Sequence, residues 1–207
     1  MTGRAALVDR LRRGILAACW VPPAVLAHEA GHWIGYVLAG LPEPTIQYAS
    51  SGFRDQPAFW NAVRAGDMAL AETMGSVTGA GIAAFLGIAV SWGLMLGGAW
   101  LVRRPRVRIA AAAVVLASAV RFVPVGLFLV RGVAQHTDEA HVAQAMGLPG
   151  LLPVLILFGI LLAALSIRTV ARTIPVGDRR ALLSDLVLGV IAGTVAWMGV
   201  VGPAILP

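Results

Sequence analysis

The chain has 207 residues, of which 58% are hydrophobic and only 13% are charged, and its mean hydropathy is +0.83. A soluble domain of this length needs far more polar surface, so the composition excludes one and implies a single membrane domain over residues 1–207. The net charge is +6, yet every basic residue is arginine, and most arginines fall in short clusters between apolar runs; that pattern points to the lipid bilayer as a partner and not to nucleic acid.

Arg4, Arg10, Arg12 and Arg13 precede an apolar stretch ending in the small-residue sequence Val25-Leu26-Ala27. This resembles a signal peptide, but cleavage there would leave His28 as the new N-terminus and destroy the helix that carries the chemistry below. The segment is therefore read as an uncleaved anchor. Five runs are long enough to span a bilayer at ~20 residues per crossing. They are residues 14–39, with Pro22-Pro23 as an expected kink, then 71–100, 107–130, 151–170 and 183–205. The second is overlong, and residues 75–81 are expected to break its entry. The expected fold is an all-α polytopic membrane protein of about five transmembrane helices, with a short β-hairpin or re-entrant segment near the active site.

Arginines fix an orientation. Four precede the first run, Arg103, Arg104, Arg106 and Arg108 lie between the second and third, and Arg168, Arg172, Arg179 and Arg180 lie around the junction of the fourth and fifth. The alternate hydrophilic segments hold only Arg54, Arg64 and Arg131. The positive-inside rule puts the N-terminus in the cytoplasm and the C-terminus outside. Short loops and the preference for Arg over Lys suit a bacterial inner membrane. The sole cysteine, Cys19, allows no intrachain disulfide.

Residues 28–32 read His-Glu-Ala-Gly-His. On a helix, His28 and His32 lie one turn apart on one face and could bind one Zn²⁺, while Glu29 could reach a water on that metal. Three ionisable groups within five residues of a membrane helix cost ~2.5–3.5 kcal/mol per charge unless compensated, and a metal compensates them. A catalytic zinc needs a third protein ligand and an open position. All four histidines fall in two short segments, His28 with His32 and His136 with His141, and the second segment contains Asp138 and Glu139. Asp138 is the first choice for third ligand, Glu139 the second and His141 the third. If Asp138 binds the metal, Glu139 is expected to accept an imidazole N–H. The alternative has both acids as ordinary helix N-terminal residues after an N-cap at Thr137, in a helix running to Met146.

The HEAGH sequence in an apolar helix resembles the site-2 protease family of intramembrane zinc metallopeptidases, and specifically its compact, divergent members. The resemblance implies a zinc metallopeptidase acting on membrane-anchored protein substrates. It implies His28 and His32 as zinc ligands, Glu29 as catalytic base, and Asp138 in the place of the aspartate supplied by a later membrane segment. The context Thr-Asp-Glu-Ala-His departs from the family's Leu-Asp-Gly. The arginine pattern also puts the motif toward the outer side, whereas the best-known members have it nearer the cytoplasm. The family tends to carry a β-hairpin that can add a substrate strand. Residues 45–52, β-leaning over Thr45-Ile46-Gln47-Tyr48, could play that part or form an ordinary loop.

A short helix is expected over residues 57–65, with Phe59 and Trp60 at the membrane interface. Arg121, a lone charge in the third run, either pairs with Asp138 or Glu139, polarises a substrate carbonyl, or marks a displaced helix boundary. Gly75 and Gly79 either pack helices closely or line the zinc site. Against the protease stands a non-catalytic metal-binding sensor, chaperone or transporter that retains the motif; the intact Glu29 weighs against it. A di-iron oxygenase would need more ligands than the chain offers.

Overall fold

The computed structural model describes residues 3–206, and it is almost entirely helical. The long helices are α1 (Gly3–Cys19), α2 (Val21–Leu38), α5 (Val77–Leu101), α6 (Arg108–Ala119), α9 (Leu151–Thr173) and α10 (Val176–Ala196). Shorter ones are α3 (Gln56–Ala65), α4 (Met68–Met74), α7 (Phe122–Val130), α8 (Asp138–Ala145) and α11 (Gly202–Ile205). Strands β1 (Thr45–Ile46) and β2 (Ser51–Gly52) pair antiparallel, Thr45 opposite Gly52 and Ile46 opposite Ser51. Among the described residues four helical stretches are long and apolar enough to cross a membrane: Val77–Leu101, Arg108–Val130, Leu151–Thr173 and Val176–Ile205.

The first apolar run is not one helix. α1 ends at Cys19, Trp20 forms a turn, and α2 restarts with Pro22 and Pro23 in its first turn. Proline is tolerated there because first-turn N–H groups have no intrahelical acceptor. The eighteen residues of α2 include His28, Glu29 and His32, and this polar content keeps it out of the four stretches. The entry to the second run breaks at Gly75 and Ser76 only, and residues 77–81 are regular helix, contrary to the broader break expected: α4 ends at Met74, and α5 starts after Ser76, whose Oγ accepts the Gly79 N–H at 3.1 Å while Glu72 accepts that of Val77 at 3.0 Å. Arg121 sits in the turn between α6 and α7, so the third run is also divided.

The chain forms two compact units, whose boundaries fall within α2 and α5, at the α6–α7 turn and within α9. One comprises residues up to Val25, Trp92–Arg121, and residues from Ile160 onward. Its α1 and α10 meet along a seam of small residues. A Cβ on Gly193 would lie 2.7 Å from the Ala18 Cα, so the backbones approach as only small residues allow. One end of that seam is closed by Asp185, which is buried and accepts from Arg10 at 3.0 Å and from Arg13 at 2.8 Å.

The other unit comprises Leu26–Ser91 and Phe122–Gly159 and contains every motif residue named above. Its apolar centre gathers Tyr36, Leu41, Phe53, Phe59, Trp60, Val63 and Val77 with small alanines. Phe59 and Trp60 are thus buried, not displayed at an interface. α3 turns its aromatic face inward, and the hairpin brings Phe53 down beside it, with ring centroids of Phe53 and Phe59 5.2 Å apart. α8 is held from two sides: Gly81 of α5 lets Ala145 come close, and His141 stacks on Trp60 with centroids 4.1 Å apart.

Candidate metal centre

The motif helix meets α5 through residues without bulk. A Cβ on Gly35 would lie 2.5 Å from the Ala83 Cα, and one on Gly31 would lie 3.0 Å from the Gly87 Cα. The two backbones therefore approach closely enough for α5 carbonyls to reach the imidazoles of α2. The His28 Nδ1 donates to the Gly87 carbonyl at 2.7 Å, with the Ser91 hydroxyl oxygen also at 3.0 Å. One turn along, the His32 Nδ1 donates to the Ala83 carbonyl at 2.9 Å. A carbonyl can only accept, so both neutral rings carry their proton on Nδ1 and expose the Nε2 lone pair.

Those lone pairs face each other. The Nε2 atoms of His28 and His32 are 3.1 Å apart, and the Asp138 Oδ2 lies 3.1 Å from one and 3.4 Å from the other. Three electron-rich atoms at this separation need a cation or an added proton among them. Two imidazole nitrogens and a carboxylate oxygen form a donor set that suits Zn²⁺, and three protein ligands leave a position open. Asp138 belongs to α8, which starts there because Thr137 caps it: the Thr137 Oγ1 accepts the Ala140 N–H at 3.3 Å. The helix ends at Ala145 with Met146 as its C-cap, and Gly147 follows with φ +64°. The N-cap and the ligand are thus neighbours, and the helix-start role of the acids does not exclude metal binding by one of them.

The Asp138 side chain is 28% exposed, against 12% for His28 and 5% for His32, so the site opens to the surface on its carboxylate side. Glu29, next to His28, is buried, and its Oε2 accepts from the Ser51 hydroxyl of β2 at 3.0 Å. A second link reaches α2 two turns further on, where Gln56 at the start of α3, folded beneath Gly52, donates to the Tyr36 hydroxyl at 3.2 Å.

Glu139 and His141, the other candidate ligands, lie outside the converging group. The imidazole N–H groups go to α5 carbonyls, not to Glu139, which is fully buried. His141 is occupied against Trp60, and burial pushes its pKa down to about 4, so the ring is neutral at physiological pH. His136 is exposed at the end of a single 3₁₀ turn. Gly75 and Gly79 pack against Leu41 and Ala39, the close-packing role; Ala83 and Gly87 line the imidazoles instead.

Reading the sequence did not single out Ser51, Ser91, Ala83 or Gly87. One signal was present: Gly31 and Gly35 sit on the motif helix four apart, as do Ala83, Gly87 and Ser91 on α5. Two stripes of that kind imply a close helix pair. No family model, curated protein or solved structure matches the chain.

Proposed function

We propose that the protein is an intramembrane zinc metalloprotease that hydrolyses peptide bonds of membrane-anchored substrates, as a compact, divergent relative of the site-2 proteases. The observation that carries this reading is the convergence of the two Nε2 lone pairs and the Asp138 carboxylate, with both Nδ1 protons committed to α5 carbonyls. In this reading α2 is a fifth crossing beside the four apolar stretches. The arginine asymmetry supports an N-terminus in the cytoplasm, and the short loops and absence of lysine favour a bacterial inner membrane.

His28, His32 and Asp138 would hold the ion. Bound there, zinc would supply a Lewis acid that lowers the pKa of water at the site far enough to make hydroxide available at neutral pH. The Ala83 and Gly87 carbonyls keep the imidazoles turned with Nε2 toward Asp138, which would make each ring a better donor to a metal held there. Glu29 accepts the proton of the attacking water and passes it to the leaving amine nitrogen. Packing buries this carboxylate, and the Ser51 hydroxyl keeps it aimed. The exposed side of Asp138 provides an approach for water. The β1–β2 hairpin lies over Glu29 and offers an edge to which an extended substrate segment could add.

Metal content of detergent-purified protein, read by elemental mass spectrometry, tests the site. Wild type and Glu29→Gln should carry near-stoichiometric zinc, and His28→Ala should carry none. A fluorescently tagged single-span model protein, with a Gly-Pro break in its membrane segment, should be cut by wild type alone. Zinc retained in His28→Ala would overturn the metal site. Full hydrolysis by Glu29→Gln would overturn the role of that acid.

A further inference from the structure

We propose that Ser51 is a positioning residue for Glu29, and that the hairpin carrying it sets whether the base is correctly aimed; this rests on the hydrolase reading above. The observation is specific. The Ser51 hydroxyl donates to the Glu29 Oε2 at 3.0 Å, across 22 positions of sequence. Glu29 lies on a buried helix face beside the candidate ligands, while Ser51 comes from a two-residue strand paired with Thr45 and Ile46 of β1. A glutamate side chain turns about three bonds, and the helix backbone alone does not fix where its carboxylate points. A hydroxyl that donates to one oxygen selects one orientation and leaves the second oxygen to take a proton.

The hairpin is itself built to transmit a change. Its turn closes with the Gln47 N–H donating to the Ser50 carbonyl at 2.7 Å and the Ser50 hydroxyl donating to Gln47 Oε1 at 2.9 Å. β1 is exposed on both residues, whereas Ser51 and Gly52 of β2 are half-buried. One side of the hairpin therefore faces outward, and the other holds the base. Gly52 extends the same contact: Gln56 beneath it donates to Tyr36, two turns after Glu29 on α2. Anything that orders β1 also orders β2, and with it the Ser51 hydroxyl.

Three variants and two readouts test this. Ser51→Ala should keep full zinc and an unchanged KM for the single-span model substrate, while kcat falls about tenfold, the size expected for one hydrogen bond to a charged group. Ser51→Thr, which keeps the hydroxyl, should restore kcat. Gln47→Pro, which removes the turn's N–H donor outside the site, should lower kcat in the same direction. The second readout needs neither metal nor substrate. The carboxylate stretch of Glu29, isolated as the infrared difference between wild type and Glu29→Gln in metal-free protein, should move in Ser51→Ala and return in Ser51→Thr. An unmoved band with unchanged kcat would overturn the positioning role and leave the hydrolase reading intact. A band that moves in Ser51→Ala while the wild type cuts nothing would confirm the contact and overturn the hydrolase reading.

Discussion

At the scale of single residues, the choice between Asp138 and Glu139 turns on direction. Consecutive helix residues point about 100° apart. On α8 this sends the Asp138 carboxylate to the imidazoles and Glu139 into the fully buried interior. Asp138→Ala should therefore lose zinc, and Glu139→Ala should keep most of it while lowering thermal stability; the opposite order in an elemental assay would reassign the ligand. The motif residues were legible because a spacing of four fixes a helix face whatever surrounds it. Asp138 was legible by a different route, the clustering of all histidines in two segments, and that route ranked Asp138, Glu139 and His141 without separating them. Ser51 and Ser91 were not legible. A serine has no periodic signature, and its role here comes from a partner 22 or 63 positions away.

At the scale of elements, the α2–α5 pair decides the site. Gly87 has no room for a side chain, since a Cβ there would fall on the His32 ring. Gly87→Ala should displace the imidazole and weaken zinc binding about 10–100-fold, the range seen when support of a metal ligand is disturbed. Gly93, later on α5, has open space around its Cβ position, so Gly93→Ala should bind zinc like wild type. Competition against a chromophoric chelator would compare the two, and equal affinities would deny the seam its role. The small-residue pattern of the seam is visible in the sequence, but its partner is not, because glycine and alanine stripes fit many helices. The same limit explains α3. Its aromatics read as interfacial because apolar rings beside short polar loops suit a headgroup layer, whereas the hairpin and α8 supply enough ring surface to bury them.

At the scale of the whole chain, hydropathy showed the all-helical class and four of the apolar stretches, and it merged α1 with α2 because proline in a first turn leaves no gap in an apolar run. It could not show that the chain builds two compact units from interleaved segments, since that division follows from seams such as Ala18 against Gly193 and from the clasp of Asp185 by two arginines. Interleaving gives the candidate metal ligands one more property. His28 and Asp138 are 110 positions apart, so an ion joining them would act as a reversible cross-link that ties off a long loop of polymer. A ligand that binds only the folded chain raises its melting point by mass action, here by on the order of 10 °C when zinc is present far above its dissociation constant. Adding a chelator to wild type should lower the unfolding temperature by that amount and leave His28→Ala unmoved, whereas equal curves would show that the ion carries no mechanical load. An ion held there would then fasten the fold as well as complete the site, and a chain deprived of it would lose stability before anything else.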